Sequence, residues 1–411
     1  MLSHYNTTKL LYFGHRYNKY VKQGYMAGGP GYVISRGALE KFGSEQESKC
    51  KRCNYSQEDC EMGICLAALG VKAMDSRDFY QRERFMVMGP SEHMFPSSKH
   101  WCPPVIPITL GHFYLEAAHV NTRTTVSDYL SRRVRVLCWV MTHPRGHQRA
   151  LHAMNTWGKR CNKVLLMSTE KDSRVPTIPL EVQEGKDHLY WKSLAAFAYI
   201  YDNHRRDADW FLKADDDTFV IVENVRFMLS IYNHSEPLYF GHRFQHFTSQ
   251  GYMSGGAGYV LSGAALDRLI QHGYYGNRCT SIDFHGAEDV SIGVCLDDLQ
   301  VKAMDSRDVY LRERFFPFIP SLHMFPSSRE GVPSWYPLYT LYPQNDGINC
   351  CSDFAISFHY ILPEEMHLFD YLLYHLRPYG VDYKHSIRQR RGRQKEFLTF
   401  FDSSKQTTFD T

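Results

Sequence analysis

The stretch Trp210-Phe-Leu-Lys-Ala-Asp215-Asp216-Asp217-Thr-Phe-Val220 decides the fold. It begins as a short apolar strand, continues through three consecutive carboxylates and ends in a second apolar run. Asp215 and Asp217 can face one side of an extended backbone while Asp216 points away, because side chains alternate along a strand. Hard oxygen ligands at this density suit Mg²⁺ or Mn²⁺.

Two readings of this acidic triplet compete. One is a solvated acidic turn on the surface. The other is a divalent-metal site that binds the phosphates of a nucleotide sugar. A surface turn needs no buried strand leading into it, so the apolar flanks favour the metal site.

Composition narrows the class of protein. With 411 residues, 43% hydrophobic and 22% charged, the chain has the profile of a soluble globular protein with one large domain or two. A net charge of +3 gives no argument for nucleic-acid binding. Eleven cysteines and sequons at Asn6, Asn54 and Asn233 favour a secretory lumen, yet the sequence contains neither a signal peptide nor a membrane-spanning run.

An internal repeat is the strongest pattern in the chain. The matching pairs are Tyr12–Arg16 with Tyr239–Arg243, Gln23–Val33 with Gln250–Val260, and Glu58–Arg84 with Glu288–Arg314. The repeat predicts a complete domain at 134–382, preceded at 1–100 by a truncated duplicate of its second half. A linker is expected at 101–133, and a polar basic tail at 383–411 is expected to be disordered.

The truncated duplicate should be poorly stable by itself or should dock on the complete copy. It has no counterpart of the first strands, which leaves a sheet with an open edge. The alternative is a sequence that starts at an internal Met and omits upstream residues, which would also account for a missing membrane anchor.

The complete copy alternates strands and helices. Its first half is predicted to run strand 136–141, helix 148–157, strand 162–167, helix 190–204 and strand 210–214. Later elements are a strand at 238–241 and helices at 264–272, 288–299 and 363–376. This order predicts a doubly wound α/β fold, in which ligands bind beyond the carboxyl ends of the strands.

Long motifs in a fixed order carry a family resemblance. They are Trp139–Thr142, Arg160–Val164, Tyr190–Lys192, Asp207–Asp217, Gln250–Val260, Asp305–Asp308, Cys350–Asp353 and Tyr374–Gly380. Over about 135–380 the sequence resembles the core 1 β1,3-galactosyltransferases, members of the β1,3-glycosyltransferase family that includes Fringe. Residues 1–100 resemble only the second half of that family.

The resemblance implies a GT-A (Rossmann-like) glycosyltransferase fold and a type II Golgi membrane protein. It implies inverting transfer of galactose from UDP-galactose to O-3 of GalNAc on Ser or Thr, with Mn²⁺. Partners would be glycoproteins or glycopeptides that carry GalNAc, and a homodimer stays open.

The same resemblance implies ligand residues. The metal would be held by Asp215, Asp217 and His323, and imidazole beside carboxylates suits Mn²⁺ better than Mg²⁺. The residues expected near the nucleotide are Met141, Glu184, Gly185, Lys186, Lys192 and Asp216, with Lys192 near the phosphates.

Inversion in one displacement needs a base for the acceptor hydroxyl. Glu288 and Asp289 at a predicted helix start are the candidates, with Asp289 favoured. The alternative is a pair of charges that offsets the helix dipole. Trp335 and Tyr336 are expected to stack on the acceptor sugar, although Pro337 stands where relatives tend to carry a second Trp.

Other functions stay open at this point. A non-catalytic relative, such as the family's chaperone, would lack the acidic motif, so the intact triplet argues against it. A transferase with another donor or acceptor fits the same motifs. Cys350 and Cys351 are expected to bond to different partners.

Overall fold

A computed structural model describes residues 2, 5–18, 20–50, 58–78, 81–88, 125–282, 284, 286–325, 332–345 and 347–377. Most of the predicted linker (101–124) and the predicted basic tail therefore lie outside the described residues. The chain divides into two compact units, Met1–Leu368 and Phe369–Thr411. The described part of the second unit contains a π-helical turn, Tyr371–His375.

The first stretch of the chain, defined here as residues 5–88, forms a small α/β assembly. Its elements are β1 (Leu11–Gly14), β2 (Arg16–Tyr17), β3 (Tyr25–Met26), β4 (Tyr32–Ile34), α1 (Arg36–Lys49), α2 (Glu58–Ala68) and β5 (Lys72–Ala73). Strands β4, β1 and β5 form one sheet in that order.

The remaining elements follow from residue 125. The helices are α3 (Thr125–Arg133), α4 (His147–Asn155), α5 (Leu189–His204), α6 (Val222–Leu229), α7 (Gly263–Arg268), α8 (Glu288–Asp298), α9 (Pro320–Met324), α10 (Tyr336–Tyr339) and α11 (Pro363–Asp370). The strands are β6 (Val136–Met141), β7 (Lys163–Ser168), β8 (Thr177–Pro179), β9 (Trp210–Asp215), β10 (Phe219–Val220), β11 (Leu238–Gly241), β12 (Arg243–Phe244), β13 (Tyr252–Met253), β14 (Tyr259–Ser262), β15 (Lys302–Ala303), β16 (Phe315–Phe316) and β17 (Ser357–Phe358).

A seven-stranded mixed sheet forms the centre, in the order β15-β11-β14-β9-β6-β7-β8. Strands β9, β6, β7 and β8 are mutually parallel, and β14 joins β9 antiparallel. The mixed α/β fold class with a parallel-strand sheet is thus confirmed. The predicted strands and helices match the observed ones to within a few residues, although two helices end in π-helical turns.

The continuous apolar run of β6 is explained by the burial of the strand. Every residue of it is buried, as expected for a strand covered on both faces. Leu137, Trp139 and Met141 pack into the large core cluster with α5. Cys138, which alternates with them along the strand, forms a disulfide with Cys161.

The first stretch and the second stretch, defined as residues 236–316, share their strand registers. Tyr12 pairs with Ile34 as Tyr239 pairs with Leu261, and Leu11 pairs with Lys72 as Leu238 pairs with Lys302.

They also share side-chain contacts. The Tyr12 hydroxyl accepts a hydrogen bond from the Met26 amide, as the Tyr239 hydroxyl does from Met253. The disulfide Cys50–Cys65 has its equivalent in Cys279–Cys295. One difference is in pairing: β14 has β9 beside it, whereas β4 is at the sheet edge in the described part of the chain.

Three observations bear on other sequence predictions. The end of the predicted linker, Thr125–Arg133, is helical. The prediction for Cys350 and Cys351 is wrong, because these neighbours are bonded to each other. Among the described residues, no helix is long and apolar enough to cross a membrane.

Candidate active site

Strand β9 delivers the acidic triplet to the carboxyl edge of the parallel strands. Asp215 is the last residue of β9 and lies opposite Met141, the last residue of β6. In the neighbouring strand β7, Met167 pairs with Met141, so the two strands end close together. The carboxyl ends of parallel strands are where α/β sheets bind ligands, so the triplet lies where chemistry is expected.

Asp215 and Asp217 share a space with His359. Ligand atoms of these three residues all lie within 4.8 Å of one another. His359 Nε2 is 3.1 Å from Asp217 Oδ1 and 3.9 Å from Asp215 Oδ2. Two carboxylates and an imidazole are a donor set suited to a divalent transition metal.

Strand pairing brings His359 to the triplet from far along the chain. Phe358 in β17 pairs with Phe219 in β10, just after the triplet. The Ile361 amide then donates to the Asp217 carbonyl oxygen at 2.9 Å. These backbone contacts fix His359 beside Asp217 before any ligand is bound.

His323, the expected third ligand, is not part of this group. Its ring packs among Phe316, Phe318 and Tyr336, with centroid distances of 4.9 to 6.0 Å. Burial lowers the pKa of His323 to about 3. Among the described residues, the structure therefore brings His359, and not His323, to Asp215 and Asp217.

Asp216 faces away from the cluster, as strand alternation predicts. Its carboxylate accepts a hydrogen bond from the Thr142 hydroxyl at 2.7 Å and lies 3.5 Å from the Arg149 guanidinium. Burial raises the pKa of Asp216 to about 6. Arg149 also approaches Asp217 at 3.8 Å, and its side chain is 45% exposed, so this cation is accessible to an anionic ligand.

Lys213 connects the metal cluster to the predicted base. Its ammonium donates to Asp215 Oδ1 at 2.6 Å and to the Gly255 carbonyl at 3.1 Å, and it lies 3.7 Å from Glu288 Oε2. Burial opposes the charge, but the carboxylates of Asp215 and Glu288 hold the pKa of Lys213 above its usual value. A buried charge with three such partners is held in one position.

Glu288 and Asp289 begin α8 and differ in their surroundings. Glu288 is buried, and its Oε1 accepts from the hydroxyls of Ser193 and Tyr259. Asp289 is half-buried and accepts from the Gly255 amide at 3.1 Å. Burial raises the pKa of both carboxyls. A raised pKa makes a carboxylate a stronger base, and the more accessible Asp289 is the better placed of the two.

Two glycines let the cluster and the acid pair approach each other. A Cβ on Gly256 would lie 2.2 Å from the His359 ring. A Cβ on Gly255 would lie 2.9 Å from Glu288 Oε2 and 3.5 Å from Lys213 Nζ. The glycine-rich turn after β13 is therefore required by close contacts with these side chains.

The residues expected near the nucleotide lie along the same edge. Lys192 is buried, and its ammonium donates to the Thr142 carbonyl and to Glu184. Thr169 also donates to Glu184, and these hydrogen bonds outweigh burial and lower the pKa of Glu184. An open cleft of about 520 Å³ extends past Thr169 along 179–183.

Gly185 and Lys186 continue this segment into a short 3₁₀ helix. Gly185 has φ of 124°, a backbone conformation that favours glycine. Lys186 begins the 3₁₀ turn Lys186–His188. Met141 is buried at the end of β6 and pairs with Asp215 on one side and Met167 on the other.

The two aromatic residues expected to stack on the acceptor differ in exposure. Trp335 is 44% exposed, whereas Tyr336 is 5% exposed. Only Trp335 offers a ring face to solvent. Tyr336 instead packs against Phe318 at a centroid distance of 4.9 Å.

Sequence reasoning missed His359, Lys213 and Arg149. Lys213 stands inside the Asp207–Asp217 motif, so its signal was present without a role attached. His359 lies beyond the Cys350–Asp353 motif, and no motif marks it. Arg149 stands on α4, 67 residues before Asp216, and nothing in its neighbourhood points to that partner.

The fold and the cluster define an α/β protein with a candidate ligand site at the carboxyl edge of its parallel strands. Within that class the family is clear. The chain belongs to the Fringe-like family, which matches residues 1–127 and 135–315.

Relatives of the chain include named enzymes. The chain is 45% identical over 279 residues to glycoprotein-N-acetylgalactosamine 3-beta-galactosyltransferase 1 of Xenopus laevis, covering 68% of this chain and 75% of the relative. It is 27% identical over 154 residues to the beta-1,3-glucosyltransferase of Mus musculus, covering 37% of this chain and 30% of the relative. Among solved structures, the glycosyltransferase GlyE of Streptococcus pneumoniae gives a TM-score of 0.30 at 10% identity, covering 64% of each chain.

Proposed function

We propose that this chain is an inverting β1,3-galactosyltransferase of GT-A fold. It would move galactose from UDP-galactose to O-3 of GalNAc on Ser or Thr of glycoproteins. The observation that carries the proposal is the cluster of Asp215, Asp217 and His359 beside the acid pair Glu288–Asp289, in a chain that is 45% identical to an enzyme named for this reaction.

Asp215, Asp217 and His359 would hold Mn²⁺. Their mixed oxygen and nitrogen donors fit that ion better than Mg²⁺, which prefers oxygen ligands alone. A bound ion supplies positive charge that stabilises the departing diphosphate. The exposed guanidinium of Arg149, close to Asp216 and Asp217, would contact the same phosphates.

Asp289 would take the proton from the acceptor hydroxyl at O-3. The Gly255 amide holds its carboxylate in place, and burial raises its pKa, which increases its strength as a base. Glu288 would position the site, because its oxygens are already occupied by Ser193, Tyr259 and Lys213.

The uridine and ribose would lie toward Glu184 and the open cleft along 179–183. Lys192 would act by fixing Glu184 and the Thr142 carbonyl, and its contact with phosphate is not needed. Met141, Gly185, Lys186 and Asp216 would line the same edge.

The first stretch would be a partial duplicate without activity of its own. It keeps Glu58 and Asp59 at the start of α2, and Asp59 accepts from the Gly28 amide as Asp289 does from Gly255. Its sequence holds no acidic triplet. The Golgi lumen is the proposed location, with GalNAc-bearing glycoproteins as partners.

The test uses the full chain secreted from a eukaryotic host. UDP release from UDP-galactose is followed with and without a GalNAc-Ser peptide, after EDTA treatment and after return of Mn²⁺. Release that needs both peptide and Mn²⁺, and that Asp217→Ala abolishes, is the expected result. Protein that binds UDP but transfers galactose to no GalNAc peptide would contradict the proposal.

A further inference from the structure

Exposed apolar side chains from three segments of the chain gather into one surface. Phe247, Phe284, Trp335 and Leu338 are 41 to 67% exposed, and the half-buried Tyr339 lies among them. We call these five residues the Phe247 surface. The Phe247 ring centroid lies 5.8 Å from that of Phe284 and 6.3 Å from that of Tyr339, and Tyr339 lies 5.5 Å from Trp335. Contiguous apolar surface of this kind marks an interaction site, whereas single exposed apolar residues do not.

A strained loop holds Phe247 outward. His246 and Phe247 have φ angles of 78° and 57°, a left-handed conformation that bulky residues rarely adopt. Hydrogen bonds fix the loop on α10: the Gln245 amide donates to the Tyr339 carbonyl at 2.6 Å, and the Gln245 side chain donates to the Leu338 carbonyl at 2.7 Å. Strained backbone that its surroundings maintain is concentrated at functional sites. The exposure of Phe247 is therefore a built feature of the fold.

The Phe247 surface lies within reach of Asp289. Phe247 contacts the Tyr252 ring at a centroid distance of 6.0 Å. Tyr252 packs so closely on α8 that a Cβ on Gly293 would collide with it. Gly293 lies one turn after Asp289 on the same face of the helix. The Asp289 carboxylate also adds to the effect of burial in raising the pKa of Tyr252, so Tyr252 connects Phe247 to the proposed base.

Phe284 approaches the same acid pair along the chain. It precedes Glu288 by four residues. Its amide donates to the Ser291 hydroxyl at 3.0 Å, and its carbonyl accepts from the Ala287 amide at 3.2 Å. These two hydrogen bonds fold Phe284 against the first turn of α8, where the acid pair stands.

The spacing of the rings suits an extended peptide. From Phe284 through Phe247 and Tyr339 to Trp335, successive centroids are 5.5 to 6.3 Å apart. An extended chain rises about 3.3 Å per residue and places alternate side chains on one side, so each step between rings matches about two residues. A single sugar ring, similar in size to one of these rings, would cover only one step.

We propose that the Phe247 surface binds the peptide part of a glycopeptide acceptor. Apolar or proline side chains next to the glycosylated Ser or Thr would pack on Phe247 and Phe284, while the attached sugar reaches Asp289. Aromatic surfaces bind extended, proline-rich segments in this way. The inference rests on the proposed function and deepens it, because it specifies which glycosylated positions are preferred: those with apolar neighbours.

The experiment compares two glycopeptides on the full chain. Each carries one GalNAc-Thr. The first has Tyr and Pro two residues to either side of it, and the second has only Gly and Ser around it. Binding in the presence of Mn²⁺ and UDP is measured by calorimetry, and kcat and KM for galactose transfer are then measured with both. Benzyl α-GalNAc is the acceptor without a peptide.

Three variants accompany the wild type. Phe247→Ala and Phe284→Ser each remove an exposed ring, so neither leaves a cavity in the core. Tyr20→Ala is the matched control. Tyr20 is exposed at the position of the first stretch that corresponds to Phe247, and its ring lies 6.2 Å from Tyr25 as that of Phe247 lies 6.0 Å from Tyr252.

We expect the wild type to bind the Tyr/Pro glycopeptide about tenfold more tightly than the Gly/Ser glycopeptide, the effect of burying one apolar side chain. Phe247→Ala should reduce this preference to about twofold or less, and Phe284→Ser should reduce it in part. The loss should appear in the Kd and KM of the glycopeptide, relative to benzyl α-GalNAc, with the affinity for UDP unchanged. Tyr20→Ala should keep the full preference.

Three outcomes would overturn the inference. One is equal wild-type affinity for the two glycopeptides. Another is that Phe247→Ala and Phe284→Ser both bind UDP and retain the full preference. The third is self-association of the wild type that Phe247→Ala abolishes, measured by sedimentation velocity, which would assign the surface to a second copy of the chain. Failure of the proposed function looks different: the preference between glycopeptides would depend on Phe247, but no galactose would be transferred to either.

Discussion

The first and second stretches of this chain share a scaffold and differ in what surrounds it. In both, a carboxylate at the start of a helix accepts from a glycine amide: Asp59 from Gly28, and Asp289 from Gly255. In both, a tyrosine hydroxyl donates to the preceding glutamate: Tyr32 to Glu58, and Tyr259 to Glu288. The scaffold that holds the acid pair is therefore independent of the metal site.

The difference lies in β9 and what it carries. In the second stretch β14 pairs with β9, which brings Lys213 and Asp215 next to Glu288. Among the described residues of the first stretch, no lysine pairs with Glu58, which is exposed, whereas Glu288 is buried. The acid pair is therefore a candidate catalytic group only where β9 lies beside it.

The largest expected effect comes from Asp217, one of the acidic triplet that has no counterpart in the first stretch. Asp217→Ala should abolish galactose transfer, since it removes one of the three proposed metal ligands. Transfer is measured by UDP release with saturating UDP-galactose and acceptor peptide. Activity that survives in this variant at the wild-type level would locate the reaction elsewhere in the chain.

A matched pair of variants compares the two acid pairs directly. Asp289→Asn should lower kcat about 10²–10⁴-fold, the usual contribution of a general base. Asp59→Asn, the same change in the first stretch, should leave kcat within about twofold, because the described residues place no candidate metal cluster beside it. Equal losses from both variants would mean that these aspartates serve the scaffold rather than the chemistry.

Lys213→Met tests the contact of Lys213 with Asp215 and Glu288. The acid pair of the second stretch has this contact through β9. Loss of the ammonium leaves Asp215 less firmly oriented, so apparent Mn²⁺ affinity should fall about 10–100-fold. Unpairing Glu288 should also lower the free energy of unfolding by about 3–5 kcal/mol. Mn²⁺ titration of activity and denaturant unfolding measure the two effects; an unchanged Mn²⁺ affinity would remove Lys213 from the metal site.

The smallest effect concerns pH and Asp216. Burial raises its pKa in the folded protein from the usual 3.8 to about 6. The folded state therefore binds this proton more tightly, and the resulting stability is lost as pH rises through that window. In metal-free protein, Asp216→Asn should be about 1–3 kcal/mol more stable than wild type at pH 7 and about equal at pH 4.

Urea unfolding at pH 7 and pH 4 gives this difference in the free energy of unfolding. Asp59→Asn, measured at the same two pH values, is the control. A variant that is less stable than wild type at pH 7 would show that ionised Asp216 is well solvated or paired.

The order of strands and the acidic triplet could be predicted because they depend on local sequence. The apolar run of β6 and the alternation around Asp215–Asp217 are visible within a few residues. The third residue of the candidate metal cluster, His359, could not be predicted in this way. His359 reaches Asp217 through pairing of β10 with β17, across more than a hundred residues, and no local pattern encodes that pairing.

His323 and His359 show how packing distinguishes histidines that the sequence does not. The family resemblance implies a histidine after the acid pair as a ligand, and His323 and His359 are two of the five histidines that follow that pair in the sequence. Only packing separates them: His323 is enclosed by Phe316, Phe318 and Tyr336, whereas His359 faces the carboxylates.

The most direct test of the account is Mn²⁺ binding by the full chain in the presence of UDP, measured by electron paramagnetic resonance. The wild type and His323→Phe should bind one ion per chain with similar affinity, and His359→Ala should bind it at least about tenfold more weakly. Weak binding by His323→Phe together with unchanged binding by His359→Ala would contradict the metal site described here.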